Sequence, residues 1–249
     1  MNKSVFLKLA SLCCALLCGV LLSASAQNPI VPYIPESGLP DVVKCIPPPP
    51  EDPSPEFDRD VLRYVWGKQQ RADSLRLAMA VRDAIWDLDT TIAILSEPFG
   101  MAISPEDTPR IYEVLTRGVT TIENIRFRPK AHYFRKRPFA YFAEPSIFPQ
   151  DDDWLALEGS YPSGHTIRAW ACALLMAEIN PAAAEEIYAR AWQSGESRVI
   201  SGCHWQSDVD ASRPVASIGY ACLQTSAQFR EQMALAQEEF RRMRFCGQW

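Results

Sequence analysis

The chain has 249 residues, 47% of them apolar and 22% charged, with 25 Lys and Arg set against 30 Asp and Glu. That is the length and balance of one globular domain. The acidic excess argues against a general binder of nucleic acid or anionic membrane, so any anion must be met by a local cluster of cations.

Residues 1–26 read as a secretory signal peptide. Lys3 and Lys8 precede an apolar run over 9–22, and Ala24-Ser25-Ala26 supplies the small-residue cleavage pattern. Cleavage after Ala26 would take the formal charge from −5 to −7, since two lysines and no acids leave. Beyond it the longest apolar run is the nine residues 169–177, too short to span a bilayer. The mature chain is therefore expected to work outside the cytoplasm without a membrane anchor. Of its five remaining cysteines (45, 172, 203, 222, 246), an odd number, at least one is free or pairs between chains. No C-x-x-C occurs and the spacing suggests no metal site.

Residues 27–54 form a Pro-rich arm, with Pro47 to Pro50 consecutive, expected to be extended. Val42-Val43 is a candidate anchor for packing it on the body. The body, 55–249, has helical periodicity. Helices are expected over 55–69 and 72–86, the second with Leu75, Met79, Arg82 and Trp86 on one face, and a short one over 91–95. Thr108-Pro109 opens a long helix with proline in its first turn. Its apolar stripe is Ile111, Val114, Leu115, Val119, Ile122 and Ile125. Residues 139–162 read as a loop able to rim a site, with the aspartates 151–153 solvated. Ser163 opens a helix that is apolar nearly all round to Ile179 and so should be central. Helices over about 181–200, 206–223 and 226–244 follow, with Ser201-Gly202 breaking the pattern between the first two. The fold class is all-α, a bundle around the 163–179 helix.

Three segments carry chemistry. In the first, Lys130 and Arg137 are seven apart, so on one helix they would face the same way, and Pro138 should end the element at Arg137. In the second, Ser163-Gly164-His165 opens the buried helix. Free amides and the dipole at a helix start suit an anion, the Ser163 hydroxyl adds a donor, and Gly164 lets the backbone come close. In the third, Arg198 precedes His204 by six residues and Asp208 follows it by four. A planar guanidinium grips two phosphate oxygens, a neutral imidazole can attack phosphorus, and a carboxylate one turn on can orient it. Each segment alone has a plainer explanation: a basic surface, an N-cap, a salt bridge. Together they account for two of the three histidines, leaving His132 without a role.

These spacings, K-x6-RP, PSGH and SR-x5-H-x3-D, resemble the three-part signature of the phosphatidic acid phosphatase type 2 and vanadium haloperoxidase superfamily. Gly159 to Thr166, GSYPSGHT, is similar to the signature of its bacterial class A non-specific acid phosphatases. So are the leader, the Pro-rich start and the stretches 96–100, 177–181 and 204–208. The resemblance implies a haloperoxidase-like helical fold and a periplasmic or secreted bacterial phosphatase needing no metal or other cofactor. It would cleave phosphate monoesters of broad specificity through a phosphohistidine. Carried over by motif position, Lys130, Arg137, Ser163, Gly164 and Arg198 bind phosphate, His204 attacks, Asp208 orients it, and His165 protonates the leaving oxygen. An acid to near-neutral optimum follows. Preference for nucleoside polyphosphates or pyrophosphate, a haloperoxidase using vanadate in the same pocket, and a binding protein without turnover are the competing readings. Homo-oligomerisation is left open.

Overall fold

The computed structural model describes residues 29–245; the predicted leader and Cys246 lie outside them. Among the described residues the regular structure is entirely helical. The helices are α1 (Pro55–Gln70), α2 (Ser74–Arg82), α3 (Leu88–Phe99), α4 (Pro109–Glu123), α5 (Phe127–Tyr133) and α6 (Pro138–Phe142). They continue as α7 (Asp152–Leu155), α8 (Gly164–Ile179), α9 (Ala184–Ile200), α10 (Gln206–Leu223) and α11 (Ala227–Phe245).

The apolar sequence of α8 puts it at the centre. Ile167, Cys172, Leu175 and Met176 lose all solvent contact, and α4, α9 and α10 pack around it. Ser163 caps its start, Oγ accepting from the Thr166 N–H. The stripe of α4 is buried as its periodicity demands, between α8 and α11. Each such aliphatic side chain contributes about 1.5–3 kcal/mol by leaving water. The Pro-rich arm is laid on this body: Tyr33, Leu39, Val42 and Ile46 join the main core, and the Tyr161 hydroxyl donates to the Pro47 carbonyl at 2.6 Å. Val42, rather than the Val42-Val43 pair, is the fully buried anchor.

The chain breaks between α9 and α10, as Ser201-Gly202 foretold. Gly202 has φ +80°, a left-handed conformation that a side chain would strain and that favours glycine at the turn. His204 sits in this connector, before α10 begins.

Four expectations need correction. The second helix stops at Arg82, with Asp83 as its C-cap, and does not reach Trp86. Leu75 is exposed, because α2 is held by Ala80 and by polar links to α9. The short helix expected at 91–95 is a full element, α3, carried through Pro98 to Gly100, whose φ of +89° ends it. The loop 139–162 begins inside α6, which starts at Pro138, and contains the single turn α7.

Candidate active site

A cavity of about 790 Å³ opens beside the N-terminus of α8. Its lining includes Lys130, Arg137, Gly164, His165, Arg198 and His204, residues separated by up to 74 positions in sequence. Lys130 comes from α5, which ends when Phe134 turns left-handed at φ 41°. Its Nζ donates to the Gly159 carbonyl at 2.6 Å. Burial first, then the charge of Arg137, pushes its ammonium down to about 7. Arg137 is the residue before Pro138, which keeps it extended at ψ 152° as the N-cap of α6. Its Nε donates to the Leu155 carbonyl (2.8 Å) and Nη1 to that of Cys203 (3.1 Å). Arg198, in the last turn of α9, is 3% exposed. Among the described residues its Nε and Nη1 have no hydrogen-bond partner. A buried guanidinium with unengaged donors is costly unless an anion meets it.

His204 is held from both sides. Nδ1 lies 3.3 Å from Asp208 Oδ2 and Nε2 lies 3.2 Å from Arg137 Nη1. A carboxylate only accepts and a guanidinium only donates, so the proton sits on Nδ1, and Nε2, on the cavity wall, accepts from Arg137. Burial, then Arg137, Lys130 and Arg198, holds this histidine well below its ordinary value, so it is neutral in the free protein. Asp208 is itself fixed: Oδ2 also accepts from the Trp205 N–H (2.9 Å), and Oδ1 accepts from Arg135 Nη1 (2.6 Å). Arg135 reaches on to Asp60 of α1, Nη2 to Oδ2 at 2.6 Å, and Asp60 accepts from the Ser207 N–H (2.8 Å). The result is a buried chain, Asp60–Arg135–Asp208–His204.

His165 has a different setting. Its Nε2 is 3.0 Å from the Ala84 carbonyl, which can only accept, so Nε2 carries hydrogen and proton exchange falls to Nδ1. Trp86 meets the ring edge-on at 4.6 Å between centroids. The 83–87 turn that presents both groups is pinned by Asp83, which accepts from the Ser197 hydroxyl at 2.6 Å and pairs with Arg190. Burial, then Arg198 and His204, keeps His165 well below its ordinary value too.

Lys130, Arg137, Gly164, His165, Arg198 and His204, predicted from three separate segments, thus share one cavity, with Asp208 behind His204. Two details differ. Lys130 and Arg137 are not on one helix, because the left-handed residue Phe134 intervenes; they converge through the bend. Ser163 is fully buried and outside the cavity lining; its Oγ accepts from the N–H and the hydroxyl of Thr166, and its N–H donates to the Asp208 carbonyl. Arg135 and Asp60 were missed. Arg126 also lines the cavity.

A helical bundle here gathers a lysine, two arginines, a helix start and two histidines round one pocket, a set of groups chemically suited to an anion. Comparison with known proteins agrees. Residues 113–232 match the PAP2 superfamily. The chain is 38% identical over 218 residues to a non-specific acid phosphatase of Providencia stuartii, covering 87% of this chain and 88% of that one. It is 37% identical over 196 residues to one of Salmonella typhimurium, covering 78% of each. An acid phosphatase of Zymomonas mobilis is 34% identical over 204 residues, 82% of this chain and 77% of that one. The chain belongs to the PAP2 superfamily, among its non-specific acid phosphatases.

Proposed function

We propose that this protein is an exported acid phosphatase of the class A type that hydrolyses phosphate monoesters through a phosphohistidine on His204. The observation that carries the reading is the tautomer of His204, with Nδ1–H on Asp208 and the Nε2 lone pair facing Arg137 Nη1 in the cavity wall, from which a bound phosphoryl group would draw the guanidinium, beside Arg198 with its unengaged Nε and Nη1. Lys130, Arg137 and Arg198 hold the phosphoryl oxygens, joined by the Gly164 N–H at the start of α8. His204 Nε2 attacks, the phosphorus–oxygen bond to the alcohol breaks, and His165 gives its Nδ1 proton to the departing oxygen. The imidazolium left on His204 is stabilised by Asp208. Water then attacks the phosphohistidine, His165 takes its proton, and phosphate leaves with His204 neutral again.

Two arginines facing the transferring group, joined by Lys130 when the bound anion keeps it protonated, supply the charge that phosphoryl transfer needs stabilised, so the mechanism requires no metal. His165 is neutral in the free protein and takes up its proton together with the anionic substrate, which favours acid to near-neutral pH. Among the described residues no helix is long and apolar enough to cross a membrane, compatible with an exported protein.

The test is turnover of an aryl phosphate with and without a chelator. The wild type should be active and indifferent to EDTA. His204→Ala should lose activity by at least about 10⁴-fold, the scale on which loss of a nucleophile acts. An active His204→Ala, or inhibition by EDTA, would refute the reading.

A further inference from the structure

The floor of the cavity is polar, but its mouth is rich in large apolar side chains. Trp86, Phe127, Phe134, Trp154 and Leu157 line it, and every one is at least 40% exposed, Leu157 as much as 75%. Large apolar side chains collected at one opening, rather than scattered, mark a surface that meets something apolar. Two of the rings are held in place. Trp86 lies under the Arg168 guanidinium at 3.5 Å, which Glu123 grips through two hydrogen bonds. The Trp154 indole N–H donates to Asp151 Oδ1 at 3.3 Å. Platforms fixed in advance lose little freedom when a flat group stacks on them.

The charges at the mouth point the same way. Glu158, with its carboxylate 4.0 Å from Arg137 Nη2, and Asp151 both line the opening. The remaining mouth cation, Arg126, is engaged: Nη1 donates to the Glu123 carbonyl at 2.7 Å, and its guanidinium lies 4.3 Å from the Phe127 ring. A second anionic group on the substrate would meet the Glu158 and Asp151 carboxylates and apolar rings, with Arg126 beside them already partnered by Glu123.

We propose that the mouth selects phosphate monoesters whose leaving group carries an uncharged aromatic ring close to the ester oxygen, and that Trp154 and Phe127 are specificity-determining residues. This rests on the phosphatase reading above. The phosphate sits on the cations, and the ring stacks between the aromatic side chains, as bases and aryl groups stack on such platforms.

The experiment compares kcat/KM for ethyl, n-hexyl, benzyl and 4-carboxybenzyl phosphate, whose leaving alcohols are of closely similar acidity, so that differences report the mouth. Benzyl phosphate should exceed ethyl phosphate by about tenfold, the size of one good aromatic contact. It should also exceed n-hexyl phosphate. The 4-carboxybenzyl ester should fall below benzyl, and Glu158→Gln should narrow that gap. Trp154→Ala and Phe127→Ala, both at exposed positions, should lower the benzyl value about three- to tenfold and leave the ethyl value unchanged. Equal values for ethyl and benzyl esters, equal values for hexyl and benzyl, or variants that keep the benzyl preference would each overturn the proposal while the phosphatase reading stands. Failure to turn over any of the four would overturn both.

Discussion

Of the two histidines of the pocket, His204 is buried and His165 half-buried, and both are held well below the ordinary histidine value, yet they are built differently. His204 has an acid behind it, and that acid has an arginine and a second acid behind it in turn. His165 has a backbone carbonyl and the edge of a tryptophan. Under the proposed mechanism the contrast corresponds to two tasks. A histidine that must carry a covalent phosphoryl group and a positive charge benefits from a fixed counter-charge and a locked tautomer. A histidine that must release and recover a proton within one turnover is better without one, because a carboxylate partner would hold its proton too firmly.

Breaking the chain behind His204 should have the larger effect. Arg135 lines no part of the cavity, so it acts through Asp208 as a positioning residue. Arg135→Gln should lower kcat about 10- to 100-fold, the usual cost of losing a group that orients a reactive one, with KM little changed. It should also move the acid limb of the pH profile upward. Removing that positive charge leaves Asp208 uncompensated, raises the histidine's proton affinity and withdraws the neutral nucleophile at higher pH. Arg135→Lys, keeping charge without the two-pronged grip, should restore part of the rate. A mere loss of folded protein would lower the apparent kcat without moving the limb. An unmoved limb would sever Arg135 from the mechanism.

The pathway behind His204 also shows where sequence reasoning ran out. His204, Asp208, Arg198, His165, Lys130 and Arg137 were legible because chemistry fixes their residue types and short spacings, and the helical periods that carry them are strong. Arg135 stands two residues before Arg137 in a run of cations, and nothing local distinguishes it from a solvated surface residue. Its partner Asp60 is 75 positions upstream on α1, a pairing only the packed bundle creates. Trp86 was assigned to a helix face because the apolar period continues past Arg82; the Asp83 cap and its ties to Arg190 and Ser197 end the helix and turn the ring toward His165. The central place of α8 and the break at Gly202 were legible for the opposite reason, since an all-round apolar helix and an isolated glycine leave few alternatives.

The smaller effect lies on the His165 side. Lys130 loses its charge above about 7 in the free protein, and His165 is unprotonated there. Anion binding should therefore take up protons. Between about pH 8 and 9, where free phosphate is already largely dianionic, its inhibition constant should weaken about three- to tenfold per pH unit. Calorimetry in buffers of different ionisation enthalpy should register net uptake. Binding without uptake would mean that neither group changes its charge when the anion arrives, which would contradict the protonation of His165 on substrate binding.

The most direct measurement is the covalent one. A His165→Ala variant given an aryl phosphate, whose leaving group needs no proton, should still phosphorylate His204 but hydrolyse the adduct slowly for want of a base. Quenched in alkaline denaturant and mapped by mass spectrometry, the phosphoryl group should be found on His204. Label on a serine or an aspartate, or turnover with no enzyme-bound phosphate at saturating substrate, would contradict the account.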